Sequence, residues 1–125
     1  MKYLLDTHVL LWWLDNNPKL SLPVKNTISN PLNTIFVSSV STWEINTKKS
    51  LGKLTVPDNI PDIIRECRFI ELPITIDHSC VIGTLVPIHQ DPFDRMLIAQ
   101  AISEDLVLIT SDTMIQKYPI ATMKA

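Results

Sequence analysis

The chain has 125 residues, 46% of them hydrophobic and 19% charged, which excludes disorder and predicts one domain over residues 1–125. Eleven basic residues against 13 acidic ones leave a net charge of −2, so neither a strongly basic field nor an acidic tail marks the surface. Gly52 and Gly83 are too few and too far apart for a dinucleotide fingerprint or a P-loop, and Cys67 and Cys80 cannot build a four-thiolate zinc site.

The chain opens on an apolar stretch, but Asp6 and His8 interrupt it and no small-residue cleavage site follows before Asp15-Asn16-Asn17-Pro18. No run approaches the ~20 apolar residues of a membrane span. With two cysteines that fit a reducing compartment, the expectation is a cytoplasmic protein without membrane attachment.

Lys2–Asp6 reads as a short buried strand, followed by a helix from Thr7 to about Asp15 that Asn16-Asn17-Pro18 breaks. Ser21–Ser29 suits a second helix, and Asn33–Ser38 a second strand. Ser41 opens a helix that Gly52 terminates. Pro57 and Asp58 start a helix running to Cys67, before a strand at Phe69–Pro73 and a helix near Asp77–Leu85. Asp91-Pro92 opens a strong helix to about Glu104; Leu106–Thr110 is a strand, and Ser111-Asp112 precedes a short last helix. Strands separated by helical segments predict an α/β fold, a three-layer sandwich whose central, mostly parallel sheet of four or five strands is covered by helices.

Ligands bind such sheets beyond the carboxyl ends of the strands, where first helical turns also point. That edge collects Asp6 at the end of the first strand, Glu44 and Asp94 in the first turns of their helices, and Asp112 after the Leu106–Thr110 strand. Each has a capping explanation: Asp6 and Asp112 as N-caps, Glu44 in a capping box with Ser41, Asp94 as an acid complementing the helix dipole. Yet Ser41 and Asp91 already cap two of these helices, and clustered carboxylates repel unless a positive charge lies between them. Oxygen donors of this kind suit Mg²⁺ or Mn²⁺ and hence a metal-dependent phosphodiesterase or phosphatase.

Asp6-Thr7-His8 with Leu10-Leu11-Trp12-Trp13, Trp43-Glu44-Ile45 with Lys48 and Gly52-Lys53-Leu54, His89-Gln90-Asp91-Pro92-Phe93-Asp94-Arg95 running into Leu97-Ile98-Ala99-Gln100-Ala101, and Thr110-Ser111-Asp112 together resemble PIN-domain proteins. They are most similar to the VapC-type ribonuclease toxins of bacterial toxin–antitoxin pairs. The resemblance implies a Mg²⁺- or Mn²⁺-dependent endoribonuclease in which metal-activated water attacks an RNA phosphodiester. It makes Asp6, Glu44, Asp94 and Asp112 the metal-binding and catalytic acids, with Asp91 left as a cap. Thr7 and Ser111 would orient metal-bound waters, and Arg95 and Lys48 would contact RNA phosphates. It also implies a homodimer and an antitoxin segment that covers the acidic site.

Weaker signals carry bland expectations. Trp43 and the two cysteines read as core, and the histidines as capping or packing residues, with His89 near enough to approach the site. Trp12 and Trp13 project about 100° apart on one helix, so either both are packed on different neighbours or one faces a partner. The alternatives are a PIN-type RNA-processing nuclease or phosphatase, and a catalytically silent binding module whose carboxylates are caps. A phosphoacceptor receiver domain is disfavoured, because Thr7 stands where a second acid is needed and no lysine follows Asp112 closely.

Overall fold

The computed structural model describes residues 1–125. Five parallel strands form one sheet in the order β3-β2-β1-β4-β5: β1 (Lys2–Leu5), β2 (Thr34–Ser38), β3 (Ile70–Leu72), β4 (Val107–Thr110) and β5 (Thr122–Lys124). Six α-helices connect them: α1 (Thr7–Leu14), α2 (Leu22–Ser29), α3 (Ser39–Ser50), α4 (Ile60–Glu66), α5 (Ile76–Ile82) and α6 (Pro92–Glu104). None is long and apolar enough to cross a membrane.

Both faces of the sheet are covered, as the unbroken apolar runs of its central strands require. Alternate side chains point to opposite faces. Leu5, Val37 and Ile109 therefore join Val9, Leu10, Val24 and Ile64 on one side, while Leu4 and Leu108 join Val40, Leu97, Ile98 and Tyr118 on the other. These two cores, one on each face of the sheet, separate the three layers expected from the sequence: helices, sheet and helices. The chain adds β2 and β3 on one side of β1, then returns to add β4 and β5 on the other. The strand order thus reverses between β1 and β4, where a crevice forms at the carboxyl edge of a parallel sheet.

Several boundaries differ from the expectation. Helix α3 begins at Ser39, capped by Ser38, whose Oγ accepts the Val40 N–H at 3.0 Å. Ser41 is therefore inside the helix, and Glu44 lies in its second turn instead of closing a capping box. At the other end Gly52 takes φ +70°; its N–H bonds to the Lys49 carbonyl and that of Lys53 to the Lys48 carbonyl, a Schellman stop. Helix α4 starts at Ile60, not Pro57, and α5 at Ile76 behind a Thr75–His78 capping box. The expected last helix is a 3-10 turn, Ile115–Lys117, and the chain closes on β5, which pairs with β4. Trp13 packs on Phe69 at 6.3 Å between ring centroids, whereas Trp12 lines an open groove with Leu11, Leu54 and Val56. Cys67 is half-buried and packs against the core as expected, whereas Cys80 is exposed. Trp43 is 56% exposed and not part of the core.

Candidate active site

The crevice between β1 and β4 receives acids from four elements. Asp6 follows β1 and caps α1: its Oδ1 accepts the Val9 N–H at 2.8 Å, and its Oδ2 accepts the Thr110 hydroxyl from the end of β4. Only 3% of Asp6 is exposed. Burial raises its pKa, against the hydrogen bonds from Thr110 and Val9 that favour the carboxylate.

Asp112 follows β4 and divides its oxygens in a similar way. Oδ1 accepts the N–H groups of Met114 and Ile115 at 2.7 and 3.2 Å, whereas Oδ2 lies 3.0 Å from His89 Nε2. Burial pushes this carboxyl up, but the bonds from His89, Ile115 and Met114 together outweigh it and hold the group below the usual range.

Asp94 carries no capping duty. Asp91 is the N-cap of α6, its Oδ1 accepting the N–H groups of Phe93 and Asp94 at 2.8 and 3.3 Å, and Pro92 occupies the first helical position. The Asp94 carboxyl is left to face the crevice, where its Oδ2 lies 3.0 Å from His89 Nε2. Burial, then the charges of Asp91, Glu44 and Asp112, push its pKa up to about 7 against the opposing effect of His89.

Glu44 is 3% exposed on α3. Its Oε2 takes a 2.5 Å ion pair from Lys48 one turn along the helix, while its Oε1 is buried with no hydrogen-bond partner. A buried carboxylate oxygen left without a donor is costly, on the order of 1–3 kcal/mol or more. Lys48 is held charged, its pKa raised first by its bond to Glu44 and further by Asp91 and Asp94. Beside it a cleft of about 300 Å³ is lined by Thr7, His8, Glu44, Lys48 and Lys53.

His89 is the group the sequence undervalued. Its Nδ1 accepts the Asp91 N–H at 3.1 Å, so the ring proton resides on Nε2, facing both Asp94 and Asp112. One ligand atom from each of His89, Asp94 and Asp112 lies within 4.8 Å of the other two. Asp6 and Glu44 lie outside that tight set but are joined to it electrostatically, Asp6 through Asp112 and Glu44 through Asp94. The only signal for His89 in the sequence is its place two residues before the Asp91-Pro92 helix start.

The remaining expected residues are placed as follows. Thr7 is buried and donates to Ser41 Oγ at 3.0 Å, bridging α1 and α3 behind the acids. Ser111 is half-buried next to Asp112. Arg95, expected to meet phosphate, instead turns its guanidinium to the carbonyls of Ile82, Val86 and His89 and to the Tyr118 hydroxyl, at 3.3–3.5 Å. It clamps the loop that carries His89.

A family model described as PIN domain matches residues 3–121. No curated protein matches the chain in sequence. Among solved structures, VapBC2 from Rickettsia felis bound to a promoter DNA fragment superposes with a TM-score of 0.72 at 17% identity, over 99% of this chain and 98% of that one. DNA-bound VapBC from Salmonella typhimurium gives 0.71 at 19% identity with the same coverage, 99% and 98%. FitAcB from Neisseria gonorrhoeae gives 0.64 at 18%, over 98% of this chain and 96% of that one. At such identities these structures establish a shared fold.

Proposed function

The chain belongs to the PIN domain family, and from that premise we propose that it is a divalent-metal-dependent endoribonuclease, the toxin of a bacterial toxin–antitoxin pair. The observation that carries the proposal is the pair of acids that cap nothing. Helix capping accounts for Asp91 and for one oxygen each of Asp6 and Asp112. It does not account for Asp94, crowded by three other carboxylates, or for the buried, unpartnered Oε1 of Glu44. A silent binding module would gain nothing from that crowding.

The donor set fits a hard cation. Carboxylate oxygens of Asp94 and Asp112 converge on His89, Glu44 with its donor-free buried oxygen is coupled electrostatically to Asp94, and no thiolate belongs to the cluster. Asp6, Glu44, Asp94 and Asp112 would hold Mg²⁺ or Mn²⁺, which when bound polarises a phosphoryl oxygen and makes water more acidic. The protein's own groups do the rest. His89 Nε2–H holds Asp94 and Asp112 facing one another, and the Thr7–Ser41 bond fixes the first turn of α1 against α3. Thr7, whose hydroxyl proton is given to Ser41, would order water only as an acceptor, and half-buried Ser111 next to Asp112 would offer a second hydroxyl. Lys48 and Lys53 line the cleft beside Glu44 and supply positive charge for an RNA phosphate.

The groove of about 370 Å³ lined by Trp12, Leu11, Leu54, Val56, Ile60 and Ile63 suits the apolar face of an antitoxin segment. The VapBC structures it resembles are bound to DNA, that from Rickettsia felis to a promoter fragment. By analogy, this chain would act in the cytoplasm as a homodimer silenced by its antitoxin. Thermal melting with added Mn²⁺ tests the metal centre: the ion should raise the melting temperature, and Asp94→Asn should abolish that rise.

A further inference from the structure

Trp43 has no role in the fold or the acid cluster. It directly precedes Glu44 on α3, and Phe93, its neighbour in space, directly precedes Asp94 on α6. The two rings meet edge to face, 4.8 Å between centroids and 79° between planes. Phe93 in turn packs on the core beneath α6. One aromatic pair is thus carried by the same two helices as two of the site acids, each ring one position before the acid.

The indole packs against Phe93, yet 56% of the residue remains open to solvent. Its neighbours along α3 are polar: Thr42, Asn46 and Thr47. Along α3 the exposed apolar surface is therefore this one ring. It matches the face of a single base, and base–aromatic stacking is a common and sequence-tolerant mode of binding unpaired nucleic acid.

We propose that Trp43, backed by Phe93, is a stacking platform for one unpaired nucleobase of the RNA, adjacent to the phosphodiester presented to Glu44 and Asp94. The proposal rests on the nuclease function above and narrows it to single-stranded loops or ends, since a base within a duplex has no free face. Lys48 stands one turn beyond Glu44 to meet a backbone phosphate of the same strand.

The test is steady-state cleavage of a labelled, mixed-sequence RNA 12-mer with Mn²⁺, using an abasic 12-mer as competitive inhibitor. Trp43→Ala should raise KM about tenfold with kcat within about twofold, a loss typical of one stacked base. Trp43→Tyr should restore most of the affinity. The abasic strand, which has phosphates but nothing to stack, should inhibit wild type and Trp43→Ala equally. Unchanged KM in Trp43→Ala, with the wild type active, would overturn the platform and leave the nuclease intact. A changed oligomeric state in Trp43→Ala by light scattering, with the abasic strand weakened in parallel, would assign the ring to a protein interface instead. A wild type inert on RNA in Mn²⁺ would overturn the nuclease and the platform together.

Discussion

His89 Nε2 lies 3.0 Å from Asp112 Oδ2, and the same nitrogen lies 3.0 Å from Asp94 Oδ2. Its other nitrogen accepts the Asp91 N–H, so a single ring proton is aimed between two carboxylates, one on α6 and one just after β4. Removing the ring leaves Asp94 Oδ2 and Asp112 Oδ2 facing each other with no donor between them. His89→Ala should therefore cost the metal-free protein about 2 kcal/mol, the scale of a hydrogen bond to a charged group. Saturating Mn²⁺ should recover most of that loss, which chemical denaturation with and without the ion would measure. An equal loss in both conditions would mean that His89 serves only the loop.

The pH dependence of stability follows from Asp94. Its folded pKa, raised to about 7 first by burial and then by Asp91, exceeds the ordinary value of 3.8. The folded state thus binds a proton that the unfolded state releases, and stability is lost as pH rises. This contribution is fully present below about pH 4 and gone above about pH 7. Asp6, also raised by burial, has the same sign; Asp112, held low, opposes it by losing stability as pH falls. Metal-free protein should melt higher at pH 5 than at pH 8, and Asp94→Asn should flatten the profile.

Lys48 and Arg95 should separate cleanly in kinetics. Lys48→Ala removes a charge from the cleft and the one partner of Glu44, so KM for RNA should rise, its salt dependence weaken and the metal-free protein lose stability. Arg95→Ala releases the carbonyls of Ile82, Val86 and His89, so kcat should fall and proteolysis within residues 83–91 should quicken. Arg95→Lys should not rescue it, because an ammonium lacks the planar fork that reaches several acceptors.

Gly52 should matter to stability alone. At φ +70° a Cβ would meet no atom within 4 Å, so Gly52→Ala would pay only in backbone strain. The expected cost is about 1 kcal/mol, measured by urea denaturation, with RNA cleavage at the wild-type rate.

The layers and most elements were legible because buried parallel strands and their covering helices write strong apolar patterns. Asp91-Pro92 marked the α6 start to the residue, and that placement is what separates Asp91, the cap, from Asp94. Short-range competition was harder to read. Ser38 and Ser41 are equally good caps in sequence, and only the register of β2 decides that Ser38 serves. Strand β5 is three residues near the end of the chain, stabilised by pairing with β4 and not by any local pattern. The contacts of His89 and Arg95 were not legible because their partners lie across a loop whose path depends on Tyr118, 23 residues or more away in sequence. Trp43 went wrong for the opposite reason: hydrophobicity predicts burial, but a functional surface can hold an aromatic ring in water.

The most direct test of the central claim is cleavage of total cellular RNA by the purified, antitoxin-free protein with Mg²⁺ or Mn²⁺, beside Asp94→Ala and an EDTA control. Discrete fragments that require the ion and vanish in Asp94→Ala are the predicted result. Intact RNA in every metal from folded protein, or full cleavage in EDTA, would contradict it.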